Sequence, residues 1–412
     1  MPEKAQPEMT NAQPALDHMS VKQMPAFAQV MPRVAAEYGK SLPGQLRDLM
    51  TYCLRGNKLS VDEYYAMCLF DDEAIPPEEK KRYVGLQKSR DIWGQFLEKN
   101  PWTGVIDDKL AYEKLLSGFG FKTAQTLAIV GGHYPADHPR RLATTDALAE
   151  FLTDARFPLF GKPFNSRQSL GSARFSGYDA SSRVLTLSGN RAVSLDDLWT
   201  EIGTHFGGTY LFQELIEADP VLANICGGGL PTVRIVTLDS GGGPEIFRAA
   251  IKLTGKGNVA DNFWREGNLL APVDAEAGRM GAALTGMGID GRFIDEHPDS
   301  GARIEGVELP QWQATRDAAI AAASVTHGAL LIGFDIAVSA AGPVIIEANY
   351  DPHLIMMQAC HRKGVLDGHM QTGLDHMKAV IAGQHADIKA HVLAERAQNK
   401  KDLAEALGRK VA

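Results

Sequence analysis

Gly333-Phe334-Asp335-Ile336-Ala337-Val338-Ser339-Ala340-Ala341-Gly342-Pro343-Val344-Ile345-Ile346-Glu347-Ala348-Asn349 reads as a β-hairpin, two apolar β-type runs around a Ser/Ala/Gly/Pro turn. With the turn centred on Ala341, Asp335 faces Glu347 directly and Asn349 follows on the same face. Phe334, Ile336, Val338, Val344, Ile346 and Ala348 then fill the other face. Facing side chains in a hairpin have Cβ atoms about 5 Å apart, and like charges there weaken the sheet. Two carboxylates and an amide oxygen gathered this way need a cation. All are hard oxygen donors with no Cys or His among them, which suits Mg²⁺ or Mn²⁺. Asp335, Glu347 and Asn349 are the expected metal ligands. The plainer alternative is a solvated hairpin face carrying an accidental acidic pair.

Outward from the hairpin, the chain of 412 residues is 44% hydrophobic and 22% charged, an ordinary globular composition with room for two or three domains. Its net charge of −8 argues against a general affinity for nucleic acid or an anionic membrane surface. Four scattered cysteines (Cys53, Cys68, Cys226, Cys360) form no CxxC pair, so reduced thiols and a cytoplasmic location are expected. Residues 1–20 lack the apolar core of a secretory signal, and the best apolar run, 329–338, is too short to span a membrane and contains Asp335.

Residues 1–30 read as a flexible tail with prolines at 2, 7, 14 and 25, and 31–105 as a helical region. Asp62 is the expected cap of a helix through Tyr65 and Phe70, and Pro76-Pro77-Glu78-Glu79 resembles a helix start. Asp107-Asp108 opens another helix through Lys109, closed by Gly118 and Gly120. Strands are expected at 126–130, 157–162, 183–187 and 209–214, with a helix capped by Ser194 before the last. A second hairpin pairs 232–238 with 245–253, and helix returns at 313–326. The expected division is a catalytic domain at 106–375, split into lobes 106–210 and 211–375, followed by a C-terminal helix at 376–412. Helices followed by a mixed sheet region argue for an α+β fold. Neither GxGxxG at a strand-to-helix turn nor GxxxxGK[ST] occurs.

Lys162 ends an apolar strand and enters the loop Pro163-Phe164-Asn165-Ser166-Arg167-Gln168-Ser169-Leu170-Gly171-Ser172, whose small polar residues can curl into an anion-binding nest. Arg248 and Lys252 lie four apart on one strand face, with Arg234 in the facing strand. Apolar neighbours around these cations imply partial burial, and buried cations need anions. Each feature has a plainer reading, a solvated lysine or a charged strand face. Their order along the chain is more specific than any one of them.

That order resembles the ATP-grasp superfamily, and most closely its sugar-transfer-associated family, related to the α-L-glutamate ligases. The resemblance rests on Asp108-Lys109-Leu110, on 230–237 and Asp261-Asn262-Phe263, and on His297-Pro298-Asp299-Ser300-Gly301, Pro310-Gln311-Trp312 and 332–349. It covers roughly residues 100–365. Glu266-Gly267-Asn268 stands where the family has Gly-Gly, and Phe334 where it usually has Trp. The resemblance implies an ATP-grasp fold of two α+β subdomains clasping ATP. Lys109 and Lys162 would neutralise phosphates beneath the Ser169 and Gly171 loop, and Gln213, Glu214 and Ile216 would face the adenine. Asp219 would reach the ribose, while Asp335, Glu347 and Asn349 would hold Mg²⁺ (or Mn²⁺). Lys252, with Arg248 or Arg234, would stabilise the γ-phosphoryl group in transfer. Asn262, Arg265, Arg292, His353 and Arg362 are candidates for substrate contact.

The expected activity is ligation of a small-molecule carboxylate to an amine through an acylphosphate, releasing ADP and phosphate. The partners are an amino acid, a peptide or a sugar-linked acid, with a homodimer left open. A kinase acting on a hydroxyl, and a catalytically silent ATP-grasp-like binding or scaffold protein, are the alternatives.

Overall fold

A computed structural model describes residues 8–9, 15–16, 22, 25–55, 58–97, 102–132, 139–165, 169–326 and 329–406. The N-terminal part is helical: α1 (Phe27–Tyr38), α2 (Leu42–Leu49) running into a π-turn, α3 (Val61–Ala66), α4 (Pro77–Lys80) and α5 (Leu86–Leu97). Its core is aromatic, with Tyr64, Tyr65, Phe70 and Tyr83 almost fully buried. Ser60, not Asp62, caps α3. Its hydroxyl accepts from Glu63 N and the Glu63 carboxylate accepts from Ser60 N, a capping box two residues earlier than expected. Cys68 takes φ +55°, so the helix ends before Phe70.

Two further helices, α6 (Trp102–Asp107) and α7 (Lys109–Gly118), lead into the first sheet. Asp108 caps α7 by accepting from the amides of Leu110 and Ala111. The first sheet holds β1 (Glu8–Met9), β2 (Thr126–Val130), β3 (Arg140–Leu142), β4 (Leu159–Pro163), β5 (Ala173–Asp179), β6 (Val184–Leu187), β7 (Arg191–Ser194) and β8 (Tyr210–Glu214). Their spatial order is β1-β7-β6-β5-β4-β8-β2-β3. Helices α8 (Thr145–Asp154) and α9 (Leu195–His205) cover it. Phe212 lies at the centre of the core, with its ring centroid 5.4–5.7 Å from those of Tyr210, Phe175 and Phe151. Ser194 caps α9 by accepting from Asp197 N, as its spacing indicates.

Part of the stretch expected to be a flexible tail is docked on this sheet. Glu8–Met9 pairs with β7, and the amides of Ala15 and Leu16 donate to the Glu201 carboxylate while the Leu16 side chain is buried. These anchors are single residues without a period, which is why composition did not reveal them.

Past α10 (Pro220–Cys226), the second sheet contains β9 (Thr232–Asp239), β10 (Pro244–Leu253), β11 (Leu269–Val273), β12 (Ala283–Thr285), β13 (Arg292–Ile294), β14 (Leu331–Ser339) and β15 (Gly342–Asn349), in the order β13-β12-β11-β10-β9-β14-β15. Helix α11 (Trp312–Ser324) packs on the face carrying Val233, Ile235, Ile251, Phe334 and Ile336. Helices α12 (Leu354–His361) and α13 (Gly368–Ala406) cover the other face, against Val236, Leu238, Ala250 and Leu331. The α+β class expected from the sequence is the one adopted. Among the described residues, no helix is long and apolar enough to cross a membrane.

The two sheets meet at the decisive hairpin. Ile345 N donates to Lys122 O at 2.9 Å, Lys122 Nζ donates to Ala341 O, and Asp219 N donates to Val338 O at 2.8 Å.

Candidate functional site

The β14–β15 turn is tighter than expected. Ser339 pairs with Gly342 and Ile336 with Ile345, so the loop is the two residues Ala340-Ala341. One extra residue, Ile346, then bulges from β15 and restores the register, leaving Asp335 opposite Glu347 and Gly333 opposite Asn349. The shorter turn and the bulge cancel, so the facing acids are as expected. The apolar face is corrected: Ile345, rather than Val344 and Ile346, packs with Ile336 in the core.

Pairing across the sheet aligns Ala250, Arg234, Asp335 and Glu347 on neighbouring strands β10, β9, β14 and β15. Arg234 clamps Asp335 through both oxygens, Nε to Oδ1 at 2.5 Å and Nη2 to Oδ2 at 2.7 Å. Lys252 Nζ lies 3.0 Å from Asp335 Oδ2 and 3.3 Å from Asp261 Oδ1, and Thr232 donates its hydroxyl to Asp261 Oδ2. All five side chains are buried. Burial opposes the Asp335 charge, but Arg234 and Lys252 hold its pKa well below the carboxylate range. Burial likewise opposes the Lys252 charge, and Asp261 and Asp335 keep it above the usual lysine value. Asp261, which burial pushes up, was quoted in the sequence motif but not marked as a site residue. Its position in a loop with no period left only that motif as a signal.

Glu347 and Lys162 are different. Glu347 is half-buried and makes no hydrogen bond or ion pair with the described residues. Lys162, at the end of β4, is 8% exposed and has no hydrogen bond or ion pair with them either. Burial lowers its pKa, opposed in turn by Glu347, Glu113 and Asp335. Among the described residues, Nδ2 of Asn349 is buried without a partner, as is Nδ1 of His353. Three hard-oxygen side chains on one rung and its neighbour, two of them with unused polar atoms, suit a small divalent cation. Among the described residues, no three His, Cys, Asp or Glu side chains close a metal cage on their own.

Lys109 is beside the loop after Lys162, its Nζ 2.7 Å from Phe164 O. Within that loop Ser166, Arg167 and Gln168 lie outside the described residues. Ser169 has φ +59° and Gly171 φ +76°, and a Cβ on Gly171 would come within 2.4 Å of Pro163. The Gly171 carbonyl accepts from Tyr210 OH at 2.9 Å. The Gln213 amide points back into the sheet, donating to Ala124 O and Thr126 Oγ1 at 3.0 Å each, so its side chain is engaged within the sheet and not turned to a base. Glu214 is exposed and Ile216 half-buried in the following connection. Asp219 caps α10, accepting from Val221 N at 3.0 Å.

The structure separates other candidates. Arg248 shares the face of Lys252 but lies about 13 Å along the strand, stacked on Phe247 and paired with Asp367 at 2.8 Å. It is not brought to the Asp335 cluster. Arg292 belongs to β13, at the opposite edge of the sheet from β15, and donates to Ile289 O and Gly291 O at 2.8 Å. Arg362 is over Phe293 on that same side, 4.0 Å from the ring. His353 is closer. It follows Pro352, whose carbonyl accepts from Arg234, and its ring meets Trp264 edge-on at 5.7 Å. Burial, then Arg234, lowers its pKa.

Asn262 and Arg265 sit in a loop fastened by Asn268. That fully buried amide accepts from Gly255 N and Asn258 Nδ2 and donates to Ala260 O and Asn262 O. The departure from Gly-Gly in the sequence is thus a loop fastener. Lys22 from the N-terminal stretch lies over Phe263 and donates to Asn268 O at 2.7 Å.

A comparison with curated protein sequences gives no match. Among solved structures, D-alanine–D-alanine ligase from Bacillus anthracis complexed with ATP is similar at 13% identity and TM-score 0.37, over 68% of this chain and 69% of that one. An L-amino acid ligase from Bacillus licheniformis gives 13% and 0.37, over 66% of this chain and 49% of the other. A biotin carboxylase complex from Campylobacter jejuni gives 11% and 0.41, over 66% and 46%. The family profile described as sugar-transfer associated ATP-grasp matches residues 181–373, a span that contains Arg234, Lys252, Asp261, Asp335, Glu347 and Asn349. That match spans just under half of the chain, so it is residues 181–373, with these six side chains, that are similar to the sugar-transfer-associated ATP-grasp family.

Proposed function

We propose that this protein is an ATP-dependent ligase that activates a carboxylate as an acylphosphate and passes it to an amine. The observation that carries the reading is Lys162: a buried lysine with no partner among the described residues, beside Glu347, which has none among them either, and a row of paired charges, is suited to an incoming polyanion. Lys162 and Lys109 would take the phosphates of ATP, under the loop carrying Ser169 and Gly171. Backbone groups of 213–216 would meet the adenine, and Asp219 the ribose. Asp335, Glu347 and Asn349 would hold Mg²⁺, which supplies charge neutralisation at the terminal phosphates.

In the first step the substrate carboxylate oxygen bonds to the γ-phosphorus and the bond to the ADP oxygen breaks. Lys252, fixed by Asp261 and Asp335, and Arg234 would neutralise charge on the moving phosphoryl group. In the second step an amine nitrogen bonds to the acyl carbon, phosphate leaves, and the nitrogen gives up a proton. His353, Asn262 and Arg265 would contact the acceptor, whose polar groups the unpartnered His353 Nδ1 suits. The family description favours a sugar-linked substrate. Four unpaired thiols are in keeping with a reducing, cytoplasmic setting.

The test is ADP release with Mg²⁺, ATP, hydroxylamine and a panel of amino acids and sugar acids. A hydroxamate formed with ADP supports the ligase. A stable phosphorylated alcohol without hydroxamate replaces it with a kinase. No ADP, together with no change of melting temperature on adding Mg·ATP, leaves only a silent protein.

A further inference from the structure

We infer that Arg234 holds the metal position on Asp335 closed until nucleotide arrives, so that the divalent cation enters only together with the phosphates. The inference rests on the nucleotide-site reading above and deepens it.

Two observations carry it. The first is geometric. Both Asp335 oxygens are taken by Arg234, at 2.5 and 2.7 Å, and Oδ2 also meets Lys252 at 3.0 Å. Of the roughly four lone-pair sites of the carboxylate, the guanidinium fork takes one on each oxygen and Lys252 a second on Oδ2, so a divalent cation would find a single site on Oδ1, beside two positive charges. Glu347 and Asn349 remain, and a carboxylate with one amide is a weak set for an ion that keeps near-octahedral oxygen coordination. The second is charge balance. Among the described side chains acting on one another here, Lys162, Arg234 and Lys252, with Lys114 paired to Glu113 at 2.9 Å, stand against Asp261, Asp335, Glu347 and Glu113. The cluster is neutral as it stands, and a lone divalent cation would add uncompensated positive charge to a buried place.

Polyphosphate changes both conditions. Its oxygens offer Arg234 and Lys252 another anion, which frees Asp335, and its negative charge balances the cation. Gly333 lets Pro352 and the Arg234 stem pack against this strand: a Cβ there would lie 2.7 Å from Pro352 Cβ and 3.3 Å from Arg234 Cδ.

The experiment is Mn²⁺ binding followed by loss of the free-ion EPR signal, with and without the non-hydrolysable analogue AMP-PNP, on the full chain. Wild type is expected to take up little Mn²⁺ alone and to bind it about tenfold or more tightly with AMP-PNP, with the same factor for AMP-PNP affinity on adding Mn²⁺. Arg234→Gln is expected to bind Mn²⁺ without nucleotide about tenfold better than wild type. That gain should vanish in Arg234→Gln/Asp335→Asn. Arg234→Lys, which keeps charge but loses the fork, should fall between and serves if the glutamine variant does not fold. The inference is overturned if wild type binds Mn²⁺ alone as well as the variants do, or if neither variant binds it better than wild type. If AMP-PNP never changes Mn²⁺ uptake by wild type, the nucleotide-site reading fails, while the Mn²⁺-only arms still decide the role of Arg234.

Discussion

Asp335 and Glu347 face each other across β14 and β15, yet among the described residues only Asp335 is paired, held by Arg234 and Lys252 while Glu347 acts on Lys162 without touching it. Two acids at one rung therefore have opposite characters. Asp335 is part of the fold's charge balance, whereas Glu347 is available.

Removing the two charges should separate stability from binding. Asp335→Asn leaves a buried guanidinium and ammonium short of a counter-charge, an expected loss of roughly 3–5 kcal/mol in urea unfolding. Glu347→Gln should stay within about 0.5 kcal/mol of wild type, since no pairing is broken. On the proposed reading Mg·ATP raises the melting temperature of wild type, and both variants should abolish that rise. Equal destabilisation by the two variants would contradict the assignment.

Asp261 is expected to act through Lys252. Its two oxygens are divided between Lys252 Nζ and the Thr232 hydroxyl, so Thr232→Val frees one oxygen and lets the carboxylate turn. A misplaced ammonium weakens transition-state stabilisation more than ground-state binding. The expected result is kcat for ADP release lowered about tenfold or more, with KM for ATP nearly unchanged. Thr232→Ser, which keeps the hydroxyl, should restore most of it.

A pH effect is expected from His361 at the end of α12. Its Nε2 lies 2.8 Å from Ala249 O, and burial pushes its pKa down to about 4. Free histidine titrates near 6.5, so between the two values the unfolded chain binds the proton and the native protein does not. Stability should therefore be present above pH ~6.5 and fall as pH drops towards about 4, by at most about 3 kcal/mol. His361→Gln, which can keep a donor to Ala249 O, should flatten that part of the stability profile. An unchanged slope in urea midpoints between these pH values would refute the assignment.

The hairpin was legible because apolar alternation and the acidic pair are local, and even the shorter turn was harmless once Ile346 bulged. Strand phase placed Arg234, Lys252 and Arg248 on one face, but phase says nothing of distance along the strand. Arg248 was therefore grouped with a cluster that it does not reach. Lys162 was visible as a lysine ending an apolar strand, and its lack of a partner was not. Asp261 and Asn268 belong to a loop whose order comes from side-chain amides and carboxylates across eight or more residues, a pattern without periodicity. The docking of Leu16 and the amides at 15–16 on Glu201 is a contact over 185 positions that composition cannot register. What remained hidden was tertiary: which charge satisfies which.

Lys162 gives the sharpest trade of stability against function. Its ammonium is buried at the end of β4 with no hydrogen bond or ion pair among the described residues, and burial lowers its pKa. Keeping an unpaired charge there is unfavourable to folding, and methionine fills nearly the same volume without charge. Lys162→Met should therefore melt higher than wild type, by an amount equivalent to about 1 kcal/mol or more. On the proposed reading Mg·ATP should no longer raise that melting temperature, because Lys162 would be the cation that takes the phosphates. Lys109→Met is the contrast: its Nζ already donates to Phe164 O, so its loss should loosen the loop and bring no comparable gain. If Lys162→Met instead melts lower and still responds to Mg·ATP, the lysine serves the fold and the phosphate site lies elsewhere.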